Sequence, residues 1–355
     1  MDRIDNLHKE KVIVYGIGNF YQQKEHALKE QYDIIAYLDR KKEGYYANKK
    51  IISLQDISQY TYDKIIIMIN SMNECIKVIK YLIVYCDISF DKILLGQDCF
   101  HVYHYLDKIS VADDGNIILT SGNIRLKIKT EDEFNNVHEV LANRIYDYYI
   151  NNGKKDIIFD VGMNIGDAAV FFLQDENVAK VFGFEPFKQT FLCAQDNLKL
   201  YGGGYEIFQF GISNINEKRS IVYNMGMSCG QSSNVQINNK NYEQYQSWGL
   251  VNAKDNCIEE IEVKKASEVF GNILKQYIDY NMVLKMDCEG EEYGIIEDLF
   301  HNNLLDKFTF IMLEWHILGT EKILEYLKIA GFSYWCMDKT SEMGLIYAYN
   351  TNRNN

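Results

Sequence analysis

Two groups of residues in the 355-residue sequence have types and spacings suited to chemistry. The first is Asp160-Val161-Gly162-Met163-Asn164-Ile165-Gly166, followed further along by Glu185-Pro186. Here an apolar strand runs into a glycine-bearing turn and then a helix. Gly162 and Gly166 permit backbone conformations and close approaches that a side chain would block. Pro186 is the only proline in the chain. It cannot donate to a sheet ladder and steers Glu185 away from helical geometry, so the strand ends there. A carboxylate so placed can accept both ribose hydroxyls of a nucleoside. Gly211, directly after the next strand, completes a candidate cofactor set of Asp160, Gly162, Asn164, Gly166, Glu185 and Gly211. The spacing is not the G-x-G-x-x-G dinucleotide fingerprint.

The second group is Asp287, Glu289, Glu314 and His316. Asp287 ends one apolar strand and Glu289 lies in the following turn. Glu314 and His316 end another strand, two apart and therefore on one face. His316 is the best single candidate for a general base because its pKa lies nearest neutrality, and Glu314 or Asp287 could raise it. Glu291 and Glu292 read equally well as carboxylates solvating the first turn of the next helix. Such groups could also hold a hard divalent ion, but no metal is assigned. Trp315 reads as a packing residue, and His101, His104, His138 and His301 as ordinary structural or surface histidines.

The elements that must position these residues alternate between strand and helix. Strands are expected at Lys11–Tyr15, Ile34–Leu38, Ile65–Ile69 and Ile93–Leu95, with helices from about Gly18 to Glu30 and from Asn73 to Tyr85. From Ile109 to Ile128, two turn signals imply a pair of short hairpins. A helix is expected over Glu131–Tyr149. The rhythm then restarts with strands at Ile157–Val161, Val181–Glu185, Tyr205–Phe210, Met282–Asp287, Thr309–Glu314, Phe332–Met337 and Gly344–Tyr349. The polar stretch from Asn214 to Asn256 has little helical period and reads as a mobile or substrate-covering insertion. Such alternation predicts an α/β fold of two Rossmann-like domains. Their expected extents are 1–104 and 105–355.

The run Asp160–Gly166, then Glu185-Pro186, then Lys285-Met286-Asp287-Cys288-Glu289-Gly290-Glu291-Glu292-Tyr293, resembles the FkbM family of methyltransferases, over about residues 110 to 350. The resemblance implies a class I methyltransferase fold, a seven-stranded mostly parallel sheet whose last pairing is antiparallel. It further implies S-adenosyl-L-methionine as donor and a hydroxyl acceptor on a sugar or polyketide. Met163 departs from the small residue usual in the family, and is expected to reshape the methionine end of the pocket. The stretch Lys11–Gly96 is similar to small Rossmann-like domains attached to bacterial sugar-modifying enzymes. Such domains hold a nucleotide or nucleotide-linked sugar, here near Gly16, Gly18 and Asp39, or only pack against a partner.

Bulk properties narrow the partners. A net charge of -13 disfavours nucleic acid. Eight cysteines without a C-x-x-C pair suggest neither zinc nor a disulfide framework. The charged N-terminus and the lack of a long apolar run predict a cytoplasmic protein with no membrane span. The expectation is an O-methyltransferase acting on a small molecule, glycan, nucleotide-sugar or surface-polymer precursor, with homo-oligomerisation left open. N-methylation of an amine, NAD(P)-dependent oxidoreduction and a non-catalytic binding module are the competing readings.

Overall fold

The computed structural model describes residues 9–69, 72–96, 105–112, 114–130, 132–247 and 253–352. His101 and His104 lie outside them. The chain divides into two compact units, Met1–Lys127 and Ile128–Asn355, a boundary later than the expected residue 105.

In the first unit, strands β1 (Lys11–Tyr15), β2 (Asp33–Leu38), β3 (Gly44–Tyr46), β4 (Lys49–Ile52), β5 (Lys64–Ile67) and β6 (Ile93–Leu95) form one sheet in the order β3-β4-β2-β1-β5-β6. Its centre is parallel, and only the β3–β4 pairing is antiparallel. Helices span Asn19–Gln31 and Met72–Cys86. Strands β3 and β4 escaped the sequence reading because they are short and half exposed, so they show no apolar run. Strands β7 (Lys108–Val111), β8 (Ile117–Ser121) and β9 (Ile124–Ile128) form the expected hairpins as one small sheet. That sheet falls with the first unit, not the second.

The second unit is built on a seven-stranded sheet. Its strands come from β10 (Asp156–Val161), β11 (Val178–Phe184), β12 (Tyr205–Phe208), β16 (Asn281–Met286), β17 (Phe310–His316), β18 (Phe332–Asp338) and β19 (Met343–Asn350). Their order is β12-β11-β10-β16-β17-β19-β18. The first five run parallel, and β19 is antiparallel to both neighbours. Every residue of β10, β16 and β17 is buried. That is the pattern of central parallel strands covered on both faces. From β10 the chain first builds outward to β11 and β12, then returns to β16 on the other side. This reversal makes a crevice at the carboxyl ends of β10 and β16, where such sheets bind ligands.

A smaller sheet contains β13 (Gly211–Ser213), β14 (Glu217–Asn224) and β15 (Asn256–Lys265), in the order β13-β15-β14. The polar stretch 214–256 is thus not structureless: it holds β14 and the helix Val235–Ser247. Its strand was hidden because the first half of β14 is polar and mostly exposed, leaving only the short apolar run Ile221–Tyr223. The expected helix Glu131–Tyr149 is also shorter, spanning Glu133–Leu141. The chain beyond it turns at Arg144, whose φ is +51°. Tyr146 and Tyr148 then pack beside Phe172 outside any helix.

The tightest joint lies at Gly162. Its φ is +70°, and a Cβ there would overlap the carbonyl oxygen of Asp287. The Gly162 N–H donates to Phe184 O at 3.1 Å, and the Asp287 N–H donates to Val161 O at 3.0 Å. Three strand ends are stitched together at this point. Gly162→Ala therefore combines left-handed strain with a backbone clash, and should cost at least about 2 kcal/mol. Urea unfolding measures this, and a stability within error of the unaltered protein would show that the approach is not tight.

Candidate active site

The crevice at the ends of β10, β11, β16 and β17 opens into a cavity walled by Gly162, Asn164, Glu185, Gly211, Asp287, Glu289, Glu314 and His316, among others. The structure brings both sequence-derived groups to one place. Asp160 and Gly166 are not in its wall. Gly166, at φ +80°, opens the helix Asp167–Phe172 and packs on Ala194. Asp160 is wholly buried, and Lys285 Nζ lies 2.9 Å from its carboxylate. The same Nζ donates to Gly162 O at 2.7 Å and sits over the Tyr146 ring. Lys285 was not identified from sequence as part of the site. Its signal was a lone cation in an otherwise apolar strand, since Lys is almost never fully buried unless paired.

Glu185 is held by its neighbours: one carboxylate oxygen accepts the Phe187 N–H at 3.0 Å and the other the Asn164 N–H at 3.0 Å. Each oxygen keeps lone pairs for a ligand hydroxyl. Burial pushes its pKa up to about 8, against the pull of those N–H groups, and further donors from a bound ligand would favour the ionised form. Asn164 stands at φ +51°, and its buried Oδ1 has no hydrogen-bond partner. An orphaned acceptor at a cavity wall suits a ligand donor such as an ammonium group. Met163 does not reshape this end of the cavity as expected. Its thioether turns down onto Gly183 of β11, where a Cβ would collide with it.

The end of the cavity around His316 is dense in charge. His316 Nε2 faces Asp287 Oδ1 at 3.9 Å and Glu289 Oε2 at 3.8 Å, while Nδ1 lies 3.2 Å from Glu292. Tyr146 OH donates to Asp287 at 3.3 Å, and Asn241 Nδ2 reaches Glu289 at 3.4 Å. Lys339 Nζ bridges Glu314 at 3.0 Å and Glu139 at 2.8 Å. Burial pulls the His316 pKa down, but Glu289, Glu292 and Asp287 outweigh it and hold the imidazole well above an ordinary histidine. Burial raises Glu314 to about 7, with Asp287 adding to the effect and Lys339 opposing it. One ligand-type atom each from Asp287, Glu289 and His316 lie within 4.8 Å of one another. An imidazolium facing two carboxylates accounts for that clustering, and no metal is assigned.

Backbone strain converges here. Glu289 has φ +52° and Ile317, next to His316, has φ +68°. For a β-branched residue this is a true outlier of the kind that collects at functional sites. The insertion supplies the cavity's cover through Met227–Gln231 and Ser233. Asp132 fastens it by accepting the Ser228 and Cys229 N–H groups at 2.9 and 2.8 Å. Arg219 of β14 fastens it again, bonding Ser233 O and the buried carboxylate of Glu291. Glu291 is therefore an anchor for the cover and does not solvate the helix.

In the first unit the Gly16 turn is already furnished. Asp39 accepts the Ile17 and Lys41 N–H groups, and Lys42 Nζ donates to Ile17 O. Tyr21, which stands where a G-x-G-x-x-G turn begun at Gly16 and Gly18 would have its third glycine, is buried and hydrogen-bonded to Tyr37. His301 packs on the Tyr326 ring and His138 belongs to the helix Glu133–Leu141. Among the described residues no helix is long and apolar enough to cross a membrane.

Residues 160–334 match the family described as methyltransferase FkbM domain, and residues 8–94 match the family described as C2185-like, N-terminal. No curated protein matches the chain. Among solved structures, the chain is similar to a methyltransferase FkbM from Methylobacillus flagellatus KT, with 11% identity over 96% of this chain and 90% of that one, at a TM-score of 0.37. It is also similar to TrmK of M. capricolum in complex with S-adenosyl-homocysteine, with 9% identity over 59% and 67% and a TM-score of 0.32. TYW2 of M. jannaschii in complex with AdoMet shows 8% identity over 66% and 84%, at 0.33. These are loose superpositions.

Lys285→Met would leave Asp160 as an uncompensated charge beneath the glycine turn. A loss of about 3–5 kcal/mol is expected, read by urea unfolding at neutral pH. Unchanged stability would mean that Asp160 takes up a proton and needs no partner.

Proposed function

Residues 160–334 are a methyltransferase domain of the FkbM family, and from that premise we propose that the chain uses S-adenosyl-L-methionine to methylate a hydroxyl of a glycan, nucleotide-sugar or related polymer precursor. The observation that carries the reading is the meeting of His316 and its carboxylates with the Gly162–Glu185 crevice in one cavity. Bound S-adenosylmethionine supplies an electrophilic methyl group on a sulfonium. Glu185 is suited to the ribose hydroxyls and the free Oδ1 of Asn164 to the ammonium. Gly211 leaves room beside Pro186. Gly162 and Gly166 set the turn, and Asp160 supports it through Lys285.

His316 Nε2 would take the proton of the acceptor hydroxyl as its oxygen displaces sulfur from the methyl carbon, the S–C bond breaking with S-adenosylhomocysteine as the neutral leaving group. Asp287 and Glu289 face that nitrogen and stabilise the imidazolium that results. Asn136, Glu139, Gln231, Glu314 and Lys339 line the same cavity with donors and acceptors. That mixture matches a polyhydroxylated acceptor better than an apolar one. A carboxylate-rich wall would also attract an amine, which mostly needs positioning and no base.

The direct test is incubation with methyl-labelled cofactor and glycan or nucleotide-sugar fractions, with mass analysis of the product. His316→Gln should lower kcat by about 10²–10⁴ while S-adenosylhomocysteine binding, read by calorimetry, persists. Full turnover by that variant would reassign the reaction to an amine. Glu185→Ala should weaken S-adenosylhomocysteine by about 10- to 100-fold, the value of hydrogen bonds to a charged group. Binding of NAD(H) without S-adenosylhomocysteine would overturn the reading.

The pH profile has a definite sign. Transfer needs neutral His316, whose pKa is raised by Glu289, Glu292 and Asp287 across from it, with the Lys339-paired Glu314 on its own strand. The acidic limb of kcat/KM should therefore lie on the alkaline side of an ordinary histidine. Glu289→Gln removes a negative charge, lowers that pKa and should move the limb to lower pH. A limb that stays in place would exclude His316 as the group it reports. Chelator treatment should leave turnover intact, and its loss would reassign Asp287, Glu289 and His316 to a cation.

A further inference from the structure

Glu292 opens the helix Glu292–His301, where sequence leaves it open between a functional carboxylate and a solvated first-turn one. It is instead entirely buried, at 0% exposure. Its Oε2 accepts the Gly290 N–H at 2.8 Å. Its Oε1 accepts the His316 backbone N–H at 2.8 Å and lies 3.2 Å from His316 Nδ1. A group surrounded by donors in this way is acting as an acceptor throughout, the role of an ionised carboxylate.

We propose that Glu292 is the positioning residue of the site: it holds neutral His316 in the Nδ1–H tautomer and thereby presents the Nε2 lone pair to the cavity. The proposal rests on the reading of His316 as the base. In the opposite tautomer, the bare Nδ1 lone pair would face a carboxylate oxygen at 3.2 Å with no hydrogen between them. Nε2 has no such neighbour, since Asp287 and Glu289 stand beyond hydrogen-bond distance. The backbone is fixed as well, because Tyr293 OH donates to His316 O at 2.7 Å. The helix thus grips His316 from behind and leaves its other nitrogen to the cavity. Glu292 does not line that cavity, so it acts only through His316.

Glu292→Gln cannot satisfy both sides. With its oxygen toward His316, its amide meets the Gly290 N–H; reversed, the amide donates to Nδ1 and favours the wrong tautomer. We expect kcat to fall about 10- to 100-fold, the usual cost of losing a carboxylate that orients a functional histidine, with KM for S-adenosylmethionine unchanged. Glu292→Asp should recover part of the loss. The readout that a merely structural role would not move is the ¹⁵N spectrum of the His316 ring. It is taken with S-adenosylhomocysteine bound, at the alkaline end of the ring's titration, and assigned by the signal missing from His316→Asn.

The unaltered protein should show a proton on Nδ1, and Glu292→Gln should shift it toward Nε2. An Nε2–H ring in the unaltered protein, or undiminished kcat in Glu292→Gln while His316→Gln is inactive, would overturn the proposal and leave the base reading intact. Full turnover by His316→Gln would instead overturn the base reading, and the tautomer signal would still judge Glu292. Should Glu292→Gln fail to bind S-adenosylhomocysteine, Glu292→Asp and the unaltered protein's spectrum decide the matter.

Discussion

The buried pair of Asp160 and Lys285 is the interaction on which the second unit's site depends. Both groups sit within adjacent parallel strands, and neither reaches solvent. Removing two charges from water costs several kcal/mol for each ion, so such a pair is weak evidence of stability. Its role is geometric. The ammonium also takes the Gly162 carbonyl, which fixes the peptide that turns the chain out of β10. That turn lies against the Asp287 carbonyl with no room for a Cβ. The Glu185 edge and the His316 edge of the cavity are therefore two sides of one joint.

The acidic wall follows from that joint. Asp287, Glu289, Glu292 and Glu314 emerge from or beside the ends of two neighbouring strands, where His316, Lys339 and, for Asp287, Lys285 offset them. Burial raises Glu289 and raises Glu314 to about 7, and the neighbouring charge of Asp287 adds to both. The sulfonium of S-adenosylmethionine carries a positive charge, so the cofactor and this acidic wall are electrostatically matched.

The strands carrying the site were legible because buried parallel strands write themselves as apolar runs ending at Asp160, Glu185 and Asp287. The glycine turn and the lone proline marked where they stop. What escaped were features fixed by contacts between distant segments. The pairing of Lys285 with Asp160 withdraws an expected cofactor residue from the cavity wall, and only the sheet register reveals it. Glu291 and Glu292 were indistinguishable as adjacent acids, yet one grips Arg219 and the other His316. Strand β14 hid behind a polar surface pattern, and the helix after Asp132 ended early because the buried tyrosines beyond it answer to other partners. The hairpins were recognised but read as part of the second domain, whereas their contacts group them with the first unit.

Met163 and Gly183 illustrate how two strand ends share one volume. The thioether occupies the space that a side chain at position 183 would need. Position 163 can shrink alone, whereas position 183 cannot grow while that thioether stays in place. A smaller residue at 163 would remove the sulfur from the path of a side chain at 183, leaving Ile207 as its near neighbour. The order of changes therefore matters: small–small is the open intermediate, and large–large requires the methionine to turn elsewhere.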